Sequence, residues 1–345
     1  MDHVVGNDRL EALKRGAKHR LSRALGRLDL AVVRRSELER LQGPRWVLDH
    51  DAVELPPGAE EYLRVDNPRL LELESRYQGH PATGHTQWTG DFLQDQLVLQ
   101  YFRGDNAYVW QKRHNTGEVN FVLSALHAFE HGHPDVVASL GEDDAFGAFT
   151  FDVDGRVVTR DLIDSILELT FIDEMWSGDG QGLPRILDIG AGYGRLAHRA
   201  TTWQPDAEYT CTDAVAVSTF ISEYYLKYRK SPARVLALDE VDSQVTPGRF
   251  DLAVNIHSFS ECPIDAIKWW LDQVAEAEIE HLFVVPNTAR DLISTEGEGR
   301  HREDFRVEIE RRGYKLEEMR PKYSPSAAVQ AHGVFPAWYF WFTRN

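Results

Sequence analysis

The stretch Leu183-Pro-Arg-Ile-Leu-Asp-Ile-Gly-Ala-Gly-Tyr-Gly-Arg-Leu196 decides the fold. Ile186 to Ile189 is a short apolar run interrupted by Asp188. It breaks into three alternating glycines, Gly190, Gly192 and Gly194, before helical spacing resumes at Leu196 and Ala197. The pattern predicts a buried strand turning into a helix. Glycine at every second position opens backbone dihedrals closed to residues with a Cβ and lets the chain approach a ligand, so the turn reads as a nucleoside-binding loop.

Charge and spacing narrow the nucleoside. A dinucleotide fingerprint wants a small residue three places after its second glycine, and Arg195 stands there. A P-loop would end in Gly-Lys-Ser/Thr, an ending this chain lacks. Asp188 repels a pyrophosphate but suits a ligand that bears an ammonium group or donates hydrogen bonds, and S-adenosylmethionine is such a ligand. A second strand pattern, Tyr209 to Thr212, ends in Asp213, about 25 residues after Asp188, where one strand-helix-strand unit returns an acid to ribose hydroxyls. The bland alternative is that Asp213 only caps the following helix.

The chain has 345 residues, 42% of them hydrophobic, enough for one large domain or two modest ones. The net charge of −17 is unevenly spread: residues 1 to 45 hold eleven Lys and Arg against six acids. An acidic remainder argues against a nucleic-acid substrate, which needs clustered cations, and the basic stretch reads most simply as a solvated helix face. Cys211 and Cys262 form no Cys-x-x-Cys pair, so no disulfide framework is expected. Without an apolar run of about 18 to 20 residues or a signal-peptide pattern, no membrane association is expected and the cytoplasm is the expected compartment.

Residues 1 to about 42 read as an amphipathic helix with Leu10, Leu13, Ala17, Leu21, Leu25 and Leu28 on one stripe, which could bury against this chain or make a homo-oligomer. Further helices are expected over Leu70 to Tyr77, from near Gln94, and over Asn120 to Phe129. His127 and His131 share a helix face near His133, but no third ligand stands beside them and no metal site is assigned. Phe149 to Val158 reads as a hairpin around Asp154-Gly155, and Thr159 as the cap of a helix through Phe171. From there strands and helices alternate: a helix around Phe220 to Tyr228, strands over 234–238, 250–256 and 281–285, helices over 264–274 and near 303–311, and strand-like pieces at 314–319 and 337–342. The expected fold is α/β, a doubly wound, Rossmann-like, mostly parallel sheet over 149–345, preceded by a mainly helical cap over 1–148. Ligands of such sheets sit beyond the carboxyl ends of the strands, where Asp188, Asp213, Asp239 and His257 fall.

Moving a methyl group from a sulfonium to an alkyl hydroxyl requires removal of the hydroxyl proton. A neutral imidazole within hydrogen-bond reach can take it. His257, in Asn255-Ile-His-Ser-Phe-Ser-Glu261, is the candidate base, the alternative being a histidine satisfied in the core or stacked on adenine.

The glycine loop with its acid, the acid ending the second strand and the fourth-strand segment resemble the class I S-adenosylmethionine-dependent methyltransferases. More narrowly, Asp188-Ile-Gly-Ala-Gly-Tyr-Gly-Arg-Leu-Ala-His198, Thr212-Asp-Ala-Val-Ala-Val-Ser-Thr-Phe220 and Asn255 to Glu261 are similar to bacterial sugar O-methyltransferases, as are Arg103-Gly-Asp-Asn-Ala-Tyr-Val-Trp-Gln111 and Asp66-Asn-Pro-Arg-Leu-Leu71. The resemblance implies that Asp188, Gly190, Gly192 and Gly194 hold the methionine part and Asp213 the ribose, with Asp239, following Leu238, beside the adenine. Ala191, Ala214, Leu238 and Asn255 are further expected cofactor contacts. Some sugar methyltransferases orient vicinal hydroxyls with magnesium. Here the fifth strand ends Val285-Pro286-Asn287 without a paired acid, so Glu261 alone supports no metal. His85, Trp88, Tyr108, Tyr193 and Glu261 are the expected acceptor contacts, the aromatics among them serving equally well as core. The expected activity is O-methylation of a sugar or glycoside hydroxyl. The alternatives are a phenol or amine acceptor, or a non-catalytic cofactor-binding assembly protein.

Overall fold

The structure is a computed structural model. It describes residues 53–84, 88, 90, 93, 97–104, 108, 117–176, 182–288, 290–297 and 301–345. Contacts divide the chain into two units, Met1–Trp46 and Val47–Asn345, and every described residue belongs to the second. The amphipathic helix expected over residues 1 to 42 lies outside the described residues, as does His85.

Among the described residues, seven strands form one sheet: β1 Ile186–Ile189, β2 Tyr209–Thr212, β3 Arg234–Leu236, β4 Leu252–Ile256, β5 His281–Val285, β6 Tyr314–Pro321 and β7 Trp338–Arg344. Their order is β3-β2-β1-β4-β5-β7-β6. The first five are parallel, with Asp188 beside Cys211 on β2 and Val254 on β4. The order reverses at β1, and the crevice at such a reversal is where doubly wound sheets bind ligands. β7 is the departure from simple strand-helix alternation. It enters between β5 and β6 and runs antiparallel to both, because the link from Pro321 to Trp338 is compact enough to turn the chain back beside its own strand.

The main helices are α1 Pro68–Tyr77, α2 Glu118–His131, α3 Arg160–Met175, α4 Arg195–Trp203, α5 Ala216–Tyr228, α6 Ile264–Glu276, α7 Arg306–Arg311 and α8 Ala327–His332. Their starts follow the local chemistry. The Thr159 hydroxyl accepts from the Leu162 amide at 3.0 Å to cap α3, and Asn67 caps α1 ahead of a proline at its first position. Phe151–Val158 is the expected hairpin, with Asp154 and Gly155 both at positive φ in its turn. Beside Gln94, where a helix is expected to begin, Leu93 is helical and its carbonyl accepts from the Leu97 amide at 3.0 Å, and a 3₁₀ turn follows at Leu99–Tyr101.

β1 is buried at all four positions. α3 closes over the sheet through Phe171, whose ring meets Phe283, Tyr339 and Trp341 at centroid distances of 5.1, 5.1 and 6.2 Å. Full burial of one such phenylalanine contributes about 1.5–3 kcal/mol, so this cluster fixes α3, and with it Arg160, against the sheet. α3 also packs on α2 and α4, while α1 packs on α5, which sets helical cover at the carboxyl end of the strands.

Candidate functional site

The turn from β1 into α4 is drawn tight by hydrogen bonds to the neighbouring strand. The Gly190 and Ala191 amides donate to the Thr212 carbonyl at 2.9 and 3.2 Å, and the Gly192 amide donates to Asp213 Oδ2 at 3.0 Å. Gly190 has φ +72°, and a Cβ there would stand 2.1 Å from the Ser258 hydroxyl oxygen. Only glycine fits. Gly194, at φ +83°, serves a different need: a Cβ would press on Ser222 at 2.9 Å and Leu226 at 3.1 Å, so it lets α4 approach α5.

A cleft of about 700 Å³ opens beyond the carboxyl ends of β1, β2 and β4. Three carboxylates line it, Asp188, Asp213 and Glu261. The Tyr209 hydroxyl donates to Asp188 at 2.9 Å. Asp213 accepts from the Gly192 amide and, at 2.8 Å, from the Val215 amide. Glu261 accepts from Trp88 Nε1 at 2.6 Å and from the Asn287 side-chain amide. Every one of these donors is neutral, and among the described residues none of the three acids has an ion pair. Burial therefore dominates: Asp188 and Asp213 are each pushed up to about 7, and Glu261 is raised as well. A cationic ligand would supply the missing countercharge.

His257 stands in the cleft wall at the end of β4. Its backbone takes φ +70°, rare for a residue with a side chain, while its amide donates to the Val285 carbonyl at 2.7 Å. Its ring lies 4.8 Å from that of Phe335, itself at φ +47°, and the Arg160 guanidinium sits 4.2 Å from the same phenylalanine ring. Burial, followed by the positive charge of Arg160, holds the imidazole well below its usual range. It is neutral at physiological pH, and among the described residues its ring nitrogens have no hydrogen-bond partner. Gly333 to Pro336 and His332, from the link between β6 and β7, roof this wall. Asn120 of α2 donates to the His332 carbonyl at 2.5 Å and holds the roof in place.

The expected residues divide into those that meet in the cleft and those that do not. Asp188, Gly190, Ala191, Gly192, Asp213, Ala214, Glu261, His257, Trp88, Tyr108 and Tyr193 all line it. The Tyr108 hydroxyl is bonded to Ser218 at 2.9 Å, and a Cβ on Gly192 would meet its ring at 3.5 Å. Tyr193 commits its hydroxyl to Asp161. Asn255, Leu238, Asp239 and Gly194 do not line the cleft. The Asn255 amide braces the end of β1 by donating to the Ile189 carbonyl and accepting from the Phe259 amide, and the Leu238 amide donates to the Tyr77 hydroxyl. Asp239 is taken by Arg76 of α1 at 2.8 Å. Nothing in the sequence signals Arg160, Phe335 or the 332–336 segment, and Asn287 is marked there only as the end of the fifth strand. The His127 and His131 rings lie 4.4 Å apart, tilted by 45°, and among the described residues no group of three His, Cys, Asp or Glu is placed to hold a metal ion.

Residues 176–264 match the family model described as the methyltransferase small domain, a segment running from the end of α3 to the start of α6 and including both the glycine turn and His257. The chain carries a methyltransferase domain. S-adenosylmethionine carries sulfonium and ammonium groups, which fit a wall of carboxylates that have no cationic partner among the described residues. Solved structures similar to the methyltransferase include magnesium protoporphyrin IX methyltransferase from Synechocystis PCC 6803, at 13% identity over 55% of this chain and 85% of that one, with a TM-score of 0.37. A SAM-dependent methyltransferase from Aquifex aeolicus matches at 14% identity over 52% and 93%, with a TM-score of 0.36. A protein from Pyrococcus horikoshii OT3 matches at 10% over 52% and 90%, with a TM-score of 0.37. No curated protein matches at the sequence level. The fold assignment rests on the sheet order itself. No helix among the described residues is long and apolar enough to cross a membrane.

Proposed function

We propose that the protein methylates a hydroxyl of a sugar or glycosylated small molecule, with His257 as general base. The observation that carries this reading is a neutral imidazole, with ring nitrogens free of hydrogen-bond partners among the described residues, facing the same cleft as Asp188 and Asp213. When bound, the cofactor supplies a methyl group on a positively charged sulfur. Asp188 and Asp213 hold that charge and the ribose. His257 takes the acceptor hydroxyl proton as the oxygen attacks, and Trp88 and Tyr108, with ring centroids 5.1 Å apart and planes tilted by 42°, give an aromatic surface for the C–H face of a sugar. Trp88 and Tyr108 are the aromatics that would cover the donor.

His257→Asn keeps a residue that tolerates positive φ and removes the base. Turnover is expected to fall by about a hundredfold or more, with S-adenosylhomocysteine affinity within a few fold of the parent. Unchanged turnover would remove His257 from the mechanism. The depressed basicity of His257 favours one second reading, a phenol acceptor, because a phenol of pKa about 10 gives up its proton to a weaker base than an aliphatic hydroxyl does. Labelled methyl transfer onto matched panels of glycosides and phenols separates the two.

A further inference from the structure

We propose that Phe335 is a positioning residue for the general base: carried by the link between β6 and β7, its ring sets the orientation of the His257 imidazole in the cleft. The inference rests on the reading of His257 as base and names what aims it. A catalytic imidazole is ordinarily oriented by a hydrogen bond to the nitrogen that does not react. His257 has no such partner among the described residues. Its backbone is pinned, with the amide donating to the Val285 carbonyl at 2.7 Å and the carbonyl accepting from the Ser260 amide at 3.1 Å, but the orientation of its ring is left to packing. It meets the ring of Phe335, with centroids 4.8 Å apart and planes tilted by 60°.

Phe335 is itself held in an unusual backbone. It takes φ +47°, as His257 takes φ +70°, so two of the six non-glycine residues at positive φ among the described residues meet ring to ring in the cleft. Such backbone persists where its surroundings over-determine it, and it gathers at functional sites. Here the surroundings do so. The Lys322 ammonium donates to the Val334 and Phe335 carbonyls at 3.2 Å each, and the Tyr323 hydroxyl donates to the same Val334 carbonyl. The Val334 amide donates to the Ser124 hydroxyl at 2.8 Å, and the Ala337 amide donates to the Phe335 carbonyl at 2.9 Å. Gly333 packs so closely that a Cβ would stand 2.6 Å from the Val329 carbonyl oxygen and 2.8 Å from the Ser124 hydroxyl oxygen. At the ring, the Arg160 guanidinium lies 4.2 Å from the Phe335 centroid. Arg160 and Lys322 are both paired with Asp164, so one carboxylate of α3 ties together the groups that grip the ring and the backbone of Phe335. These contacts converge on the residue that touches the imidazole.

The test uses the full chain saturated with S-adenosylhomocysteine and labelled with carbon-13 in its histidine rings, so it needs no acceptor. The His257 signal is identified by its loss in His257→Asn, and the order of its ring is measured by nuclear relaxation. In the parent the imidazole should be held, with an order parameter of about 0.85. Phe335→Leu, which keeps an apolar side chain and removes the flat ring, should lower it below about 0.6, and Phe335→Tyr should keep it. Turnover on the acceptor that the panels above select should follow the same order, with kcat down about tenfold in Phe335→Leu and KM within about threefold, because the acceptor still binds while the base is poorly aimed. A merely structural Phe335 would lower the melting midpoint and leave the ring order of the folded chain untouched. That result, or a mobile imidazole in the parent, overturns the proposal. Should Phe335→Leu not fold, Phe335→Met, with its flexible apolar side chain, is judged by the same criterion. S-adenosylhomocysteine that fails to bind, or unchanged turnover in His257→Asn, instead defeats the reading beneath and the proposal with it.

Discussion

At one end of the cleft, Asp188 and Asp213 stand about 25 residues apart on adjacent parallel strands, and their hydrogen bonds come from Tyr209 and from the turns that those strands feed. At the other end, Arg160, His257 and Phe335 come from a helix start, a strand end and a link between the last two strands, and they meet only when α3, β4 and the β6–β7 connection are all in place. The donor end is thus a local object that one strand-helix-strand unit nearly completes. The group around His257 exists only in the finished fold. On the function proposed above, the first group would hold the donor and the second, built from distant segments, would face the acceptor, as expected where function is grafted onto a shared fold.

The two ends should therefore fail differently. The largest effect is expected at the glycine turn. Gly190→Ala places a Cβ at φ +72° and against Ser258, which costs about 2 to 5 kcal/mol in strain and overpacking. Thermal melting should show a lowered midpoint, and Ser258→Gly in the same chain should restore part of it. A melting curve identical to the parent's would mean that the turn is not held as described.

A smaller effect separates the ends by pH. Asp188 and Asp213 are raised to about 7 from an ordinary value of 3.8, so the folded chain holds more protons than the unfolded chain between those values. Their contribution to stability is present at low pH and is lost as the pH climbs through about 7. A cationic ligand favours the ionised acids, so cofactor binding should release about one proton or more near pH 6.5 and tighten as the pH rises toward 8. Calorimetry in two buffers of different ionisation enthalpy measures the proton count. Proton uptake, or none exchanged, would place the cofactor's charges elsewhere. His257 is held low and contributes no titration in that range.

The same contrast governs what the sequence disclosed. Gly190 and Gly192 were legible because a backbone that must adopt positive φ records that need in its own residue type. The sheet from β1 to β5 was legible from apolar runs separated by helical spacing, and Thr159 from its capping position. The antiparallel entry of β7 was not, since a run such as Trp338 to Phe342 carries no mark of its direction. Asp239 shows the limit of reasoning from strand ends. It lies at one, yet Arg76, 163 residues earlier, claims its carboxylate. Asn255 likewise spends its amide on the backbone of β1. Arg160 was hidden because a charged residue behind a threonine cap is an ordinary helix start; only the packing of Phe335 against it reveals the cleft it faces.

The most direct measurement is the titration of the full chain with S-adenosylmethionine, in the parent and in Asp213→Ala. The account predicts one cofactor bound per chain, with affinity lowered by about 1 to 3 kcal/mol, roughly ten- to a hundredfold, once the carboxylate that orders the Gly192 and Val215 amides is gone. A parent chain that binds no cofactor, or a variant that binds it as tightly as the parent, would contradict the account.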